Sequence, residues 1–355
     1  MSDTIFTGSI DDIFRSSSAG SIQYGVGNNF YGINHRQLAP AIASNRDHYG
    51  LTFFVRPQLN LSTNNIRNVR TLTPLLTKDP NAIQTIVRCL LDPRLQTGGA
   101  LSSNCPFVDP QQAFIPVLTN NLKSVSGWPD ISLPTSTSHP GAYQEEHSMV
   151  DGLSTNYGAF DLTATYRNTR GDPIMMLFYT WIHYMAYVFE GLLIPYPDFI
   201  VENEIDYNTR IYRLILDQTK TKVQKIAACG ASFPTSLPIG GFFDYSSDKP
   251  YNDNNSDINM TFKCNGALYQ DDILVYEFNK TTAIFNPDMD DSTGRKNMIL
   301  LPVEFLKLFN NRGYPRINPD TYTLEWWVPK DLFNRKLSSF NGLNIPSDNY
   351  DFKSA

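Results

Sequence analysis

Two short stretches of this sequence alternate strictly between apolar and polar residues. In Phe160–Arg167 every even-numbered residue is apolar and every odd-numbered residue is polar, and Ile258–Asn265 follows the same rule. Because successive side chains of a strand point to opposite faces, each stretch predicts a strand with one covered face and one face in water. Sheets with one wet face are antiparallel, since parallel sheets are covered on both sides. The chain is therefore predicted to contain an antiparallel sheet.

An uncharged apolar run, Ile174–Phe189, lies between the two alternating stretches and predicts a helix with Trp181 near its middle. A membrane-spanning helix needs roughly twenty apolar residues, and Asp172 and Glu190 flank this shorter run closely. Its aromatic residues are spread along the whole run instead of forming belts at its two ends. We expect no membrane span here, and a helix that is buried within the fold or within an assembly.

Weaker patterns predict the remaining elements and divide the chain. They are a strand that begins at Leu51 with Thr52 and Arg56 on its wet face, a helix over 81–92, a strand over 113–120, a hairpin over 209–229, a proline- and glycine-rich link over 232–247, and a strand over 321–328. The predicted fold is mainly β (α+β), an antiparallel sandwich or barrel with one central helix. The predicted parts are an N-terminal arm (1–45), a β domain (46–280) with an insertion (71–112), and a C-terminal extension (281–355).

The charge and cysteine content exclude several classes of protein. The 355 residues carry a net charge of −6, whereas a nucleic-acid binder needs an excess of positive charge to neutralise phosphates. The cysteines are far apart in the sequence and form no C-x-x-C pair, which fits neither a disulfide framework nor a zinc site. We therefore expect a reducing compartment of folding. These cysteines are Cys89, Cys105, Cys229 and Cys264.

Four side chains of one short segment carry groups that bind metals. Pro140 and Gly141 prevent this segment from forming one helix face, and the H-E-x-x-H spacing is missing, so we interpret it as a solvated loop. The four residues are His139, Glu145, Glu146 and His147.

Other candidate sites have equally ordinary interpretations. Asp288, Asp290 and Asp291 with Gly294 lack the ligand alternation and the closing glutamate of a calcium loop, and predict a surface turn. Further residues have the same kind of interpretation, as turn or core residues or as adjacent carboxylates on loops: Asp253 and Asp257, His183, and the pairs Asp11–Asp12 and Glu145–Glu146. Neither a nucleophile elbow nor a phosphate-binding loop is present. We predict that the chain is not an enzyme, with no catalytic, cofactor-binding or metal-binding residues and no cofactor.

The order of these signals resembles the tail-tube fold of contractile-tailed bacteriophages. The resemblance is carried by the alternating strand, polar link and Trp-bearing helix at 160–191, by the hairpin and link at 210–247, and by the alternating strand at 258–270. The strand and proline-bearing loop at 113–134 resemble the segment that precedes this run. The insertion and the C-terminal extension are similar to those of baseplate tube-initiator proteins, which the chain resembles most.

The resemblance implies a virion structural protein of a contractile phage tail, made in the host cytoplasm. It implies a homo-oligomeric ring, a hexamer, at the baseplate–tube junction that seeds or continues the tail tube. Its neighbours would be tail tube, baseplate hub and sheath proteins, and genome DNA would pass through the lumen without specific binding. A tail terminator or neck ring protein and an enlarged tail tube protein fit the same signals. The high aromatic content, 13%, leaves a carbohydrate-binding β-protein as an alternative of another class.

Overall fold

The computed structural model of the protein describes residues 49–96, 105–153, 156–244, 247–248, 256–302, 305–306, 309 and 313–340. The predicted N-terminal arm (1–45) and the residues Asp11, Asp12 and Asp253 lie outside these ranges. The strands are β1 (Tyr49–Phe54), β2 (Leu122–Ser126), β3 (Thr135–Thr137), β4 (Ser148–Val150), β5 (Asn156–Arg167), β6 (Ile211–Leu216), β7 (Val223–Ser236), β8 (Asp257–Tyr269), β9 (Met298–Leu300), β10 (Tyr314–Ile317) and β11 (Leu324–Pro329). The α-helices are α1 (Thr63–Ile66), α2 (Ile83–Leu91), α3 (Pro116–Asn121), α4 (Pro173–Phe189), α5 (Pro197–Glu202), α6 (Asp272–Phe285) and α7 (Lys330–Phe340).

Six strands form the main sheet in the order β1-β6-β7-β8-β5-β2. The two alternating stretches lie in β5 and β8, which pair antiparallel with Phe160 opposite Cys264 and Thr165 opposite Asn259. Within the two alternating stretches the even-numbered residues are buried, apart from the half-buried Phe160, and the odd-numbered residues are exposed or half-buried. The prediction of an antiparallel sheet with one covered and one wet face is confirmed.

One segment of chain approaches both edges of this sheet. Phe114 bridges to Val55 just after β1, and β2 pairs with β5 at the opposite edge, so the sheet is nearly closed into a barrel. The predicted strand over 113–120 is wrong beyond this bridge, because α3 begins at Pro116. Proline suits the first position of a helix, since its φ is preset and its missing N–H would have no partner there.

The covered face of the sheet packs against α4, as the apolar run predicted. Trp181 is fully buried, stacks on Phe178 at 6.3 Å and donates from Nε1 to the carbonyl oxygen of Tyr207 at 3.0 Å. Phe178 in turn contacts Tyr166 of β5 and Phe262 of β8. The expectation of a single helix was incomplete, since α2 also packs on α4 and further helices lie elsewhere in the chain.

The prediction that Thr52 and Arg56 lie on a solvent-exposed face of the first strand is also wrong. Thr52 and Arg56 are 1% and 2% exposed, and carbonyl oxygens of the described segments 89–96 and 105–112 accept hydrogen bonds from the Arg56 guanidinium. The predicted link at 232–247 begins too early, since β7 continues to Ser236.

The described residues form two compact units. One consists of Thr52–Tyr212 and Ala227–Tyr269, and the other of residues 49–51, Arg213–Ile226 and the residues from Gln270 onward. In the second unit β9, β10 and β11 form an antiparallel sheet, which carries a small core. The core residues of that cluster are Met289, Met298, Tyr314 and Trp327. The helix α6, which the sequence patterns missed, crosses the boundary placed at residue 280, and the predicted domain limits otherwise stay predictions.

Candidate assembly surfaces

The side chains considered as metal ligands in 139–147 lie on the connection between β3 and β4 and are exposed. Glu145 has a local role there, since its Oε2 accepts a hydrogen bond from the backbone N–H of Tyr143 at 2.7 Å. Within the part of the chain that the structure describes, no group of three or more His, Cys, Asp or Glu side chains could hold a metal ion.

The aspartates of the predicted surface turn bind nearby backbone and side-chain groups. Asp290 accepts from the N–H of Ser292 at 2.9 Å, and Asp291 pairs with Arg316 at 3.1 Å. His183 is half-buried on α4 between Tyr179 and Tyr187, at ring distances of 4.3 and 5.8 Å, and burial lowers its pKa.

Residues 130–153, which we call the β3–β4 arm, are exposed without exception. The arm is ordered by its own hydrogen bonds, among them Ser138 N–H to the His147 carbonyl at 2.8 Å and Asp151 N–H to the Pro134 carbonyl at 2.9 Å. Six large apolar side chains on it are more than half exposed, which is more than the singly scattered apolar side chains of an ordinary surface and indicates an interface. They are Ile131, Leu133, Tyr143, Met149, Val150 and Leu153.

The base of the arm is fixed to the main sheet. Trp128 packs between Phe160 and Tyr269, with ring distances of 6.0 and 6.1 Å, and the Tyr269 hydroxyl donates to the carbonyl oxygen of Pro129 at 2.6 Å. Gly127 has φ +105, and a Cβ there would lie 2.3 Å from the carbonyl oxygen of Asp161, so only glycine fits. The arm is therefore fixed to the sheet at its root, and its described residues are exposed along its length.

Residues 189–205, which we call the acidic strap, form a second exposed apolar surface in the same unit. The segment follows α4, contains α5, and points six large apolar side chains outward. They are Phe189, Leu192, Ile194, Ile200, Val201 and Ile205, each more than half exposed. The charged groups of the strap are all carboxylates, because the sequence has neither lysine nor arginine from residue 171 to residue 209.

Polar contacts hold the acidic strap to the rest of its unit. The Tyr196 hydroxyl donates to Oδ2 of the buried Asp92 at 2.8 Å, and Arg94 binds both carboxylate oxygens of Asp198 at 2.7 and 2.9 Å. Asn60 and Asn65 both donate to the carbonyl oxygen of Ile194, at 2.9 and 3.0 Å. Within the described residues, these contacts leave the six apolar side chains more than half exposed.

The buried Asp92, which accepts the hydrogen bond from Tyr196, has a shifted pKa. Burial raises its pKa from 3.8 to about 6, while hydrogen bonds from Tyr196 and from the N–H groups of Leu61 and Arg94, and the charge of Arg88, act in the opposite direction. The native state therefore binds the Asp92 proton more tightly than the unfolded chain does.

The contribution of Asp92 to stability is expected to fall as the pH rises. Because its folded pKa lies above the unfolded value, this contribution is fully present below pH 3.8 and is lost as the pH passes through about 6. The full change corresponds to roughly 3 kcal/mol. Urea unfolding of the wild type and of Asp92→Asn between about pH 4 and pH 7 measures this contribution. We expect the difference in free energy of unfolding, wild type minus variant, to become smaller as the pH rises. A pH-independent difference between the two proteins would contradict it.

The wet face of β5 and β8, with the neighbouring β2, is the third surface, and we call it the polar sheet face. Its outward side chains on β5 and β8 are Asp161, Thr163, Thr165, Arg167, Asp257, Asn259, Thr261, Lys263 and Asn265. Lys263 pairs with Asp161 at 2.9 Å, and Lys123 of β2 pairs with Asp257 at 2.5 Å. Thr165 donates to Asn259 at 2.8 Å. The face is therefore polar, and its lysines are paired.

Sequence reasoning found the polar sheet face but missed the other two surfaces. A charge signal was available for the arm, since no lysine or arginine occurs from Ser124 to Tyr166, as is also true of 171–209 around the strap. Within the described ranges, no helix has the length and apolar character needed to cross a membrane.

Comparisons with known proteins identify the family. A family model described as "Putative phage tail tube protein" matches residues 3–342. A search of the curated proteins finds no match.

Three solved structures are similar to part of the chain. The tube-terminating cap of the anti-feeding prophage has 20% identity over 44% of this chain and 82% of that chain, with a TM-score of 0.28. The sheath/tube terminator of the extracellular contractile injection system PVC has 16% identity over 45% and 88%, with a TM-score of 0.25. The PVC sheath–tube complex in its extended state has 18% identity over 44% and 82%, with a TM-score of 0.27. Similarities this distant do not bear on function. The family match spans nearly the whole chain, which therefore belongs to the phage tail tube protein family, a family of structural tail proteins.

Proposed function

We propose that this protein forms a hexameric ring of a contractile phage tail, at the baseplate–tube junction, where it seeds or continues the tail tube. The main sheet is the observation that carries the proposal. It has one face covered by α4, one polar face, and a terminal strand, β2, whose outer edge has no partner within the described ranges. An open strand edge is a site for pairing with another chain, and repeated pairing around a ring axis closes it.

In this arrangement the polar sheet face lines the lumen through which genome DNA passes. The described residues of β5 and β8 present no large apolar side chain to water on this face, in contrast to the β3–β4 arm and the acidic strap. Those two surfaces are then left for neighbouring subunits and for tube, hub or sheath proteins. The insertion (71–112) and the extension (281–355) are additions to the tube-like domain (46–280) that support a junction role.

Electron microscopy of the purified full-length protein, alone and mixed with tube subunits of the same phage, tests the proposal. We expect rings with sixfold symmetry, and tubes that start from them. A protein that stays monomeric and never joins tubes contradicts the ring. Labelling of the subunit in intact virions tests the position, since a label at the head-proximal end of the tail would instead indicate a terminator.

A further inference from the structure

Both lysines of the polar sheet face are held by aspartates on the same face. The Lys263 ammonium lies 2.9 Å from Oδ1 of Asp161. The two residues are directly opposite each other on the paired strands β8 and β5. The Lys123 ammonium lies 2.7 Å from Oδ2 and 2.5 Å from Oδ1 of Asp257. The remaining cation of the face, Arg167, is at the end of β5 opposite Asp257.

These two ion pairs are expected to contribute little to the stability of the fold. All four side chains are more than a third exposed, at 41% and 60% for Lys263 and Asp161 and 41% and 36% for Lys123 and Asp257. Exposed ion pairs contribute little to the free energy of folding. Their consequence for a passing polyanion is larger, because DNA is held by cations that neutralise phosphates and release counterions.

We propose that Asp161 and Asp257 mask Lys263 and Lys123 from DNA, so that the wall of the tube offers no free lysine to the phosphate backbone. The inference rests on the proposed function, in which this face lines the lumen. Without the aspartates each subunit would present two ammonium groups, and a ring would repeat them at each subunit around the duplex.

Binding of fluorescent double-stranded DNA to the full-length protein tests the masking. We expect D161N/D257N to bind DNA roughly tenfold more tightly than the wild type at about 50 mM salt. On going to about 200 mM salt, the variant should lose roughly tenfold more affinity than the wild type loses, as two added phosphate contacts require. The single variant D161N, which frees Lys263 alone, should show a smaller gain.

The variant E202Q/E204Q is the matched control, because it removes two negative charges from the acidic strap and leaves the polar sheet face unchanged. We expect it to bind DNA as the wild type does, and K123M/K263M added to D161N/D257N to abolish the gain. Equal binding by D161N/D257N and the control would overturn the masking. This measurement uses the free protein, so a failure of ring formation in the microscope would contradict the proposed function without deciding the masking.

Discussion

Replacing Arg56 with methionine is expected to lower the free energy of unfolding by roughly 4 kcal/mol, because several carbonyl groups lose a buried, charged hydrogen-bond donor. The guanidinium donates to the carbonyl oxygens of Leu90 and Cys89 at 2.9 and 2.5 Å, and to those of Asp109 and Gln112 at 2.9 and 3.0 Å. Burial lowers the pKa of Arg56 to about 10, so it remains charged at neutral pH.

Two of these acceptors belong to the end of α2. The last carbonyl groups of a helix have no partner within it, and a cation there also interacts favourably with the helix dipole. Arg56 therefore ties the end of α2 and the chain around 109–112 to the strand that precedes them. Methionine fills the volume of the side-chain stem but removes the charged donor from each of these carbonyl groups.

Urea unfolding of the full-length protein measures the loss, and hydrogen exchange should show reduced protection within 83–96 and 105–112. Arg70→Met is the matched control, because Arg70 is exposed and lies directly before the insertion. We expect it to change the free energy of unfolding by less than about 0.5 kcal/mol. Equal stability of Arg56→Met and Arg70→Met would contradict this role of Arg56.

Local patterns predicted the parts of the fold whose burial is decided by neighbours in sequence. The alternation in β5 and β8 identifies the covered face directly, and the run around Trp181 identifies α4. The burial of Arg56 could not be predicted in this way, because its acceptors at Cys89 and Gln112 lie 33 and 56 residues along the chain. Only the folded insertion brings these carbonyl groups to the strand.

The candidate assembly surfaces were predicted only in part, for physical reasons. The strands of the β3–β4 arm have three residues each, too few to show a period, and its apolar residues face water instead of a core. Periodicity finds cores, and these side chains do not belong to one. The helix α6 is a different case, since Asp271 caps it by accepting from the N–H of Ile273, a start signal that is readable in the sequence.

Removing the apolar side chains from the β3–β4 arm is expected to abolish ring formation while the subunit stays folded. Met149, Val150 and Leu153 are 67%, 61% and 82% exposed, so replacing all three with serine removes little from the core of the free protein. If an interface buries them, the loss is roughly 4 kcal/mol at each contact, or nearly a thousandfold in affinity. Electron microscopy and sedimentation of the purified variant measure the change.

A conservative variant separates the loss of apolar surface from a general disturbance of the arm. Met149→Leu with Val150→Ile and Leu153→Met keeps the apolar area at the same positions, and we expect it to form rings as the wild type does. The root of the arm at Trp128 is intact in both variants, so the two proteins should unfold at similar urea concentrations. If the serine variant assembled as readily as the wild type, the arm would not be buried between subunits. The acidic strap would then be the next exposed apolar surface of this unit to test as a contact between subunits.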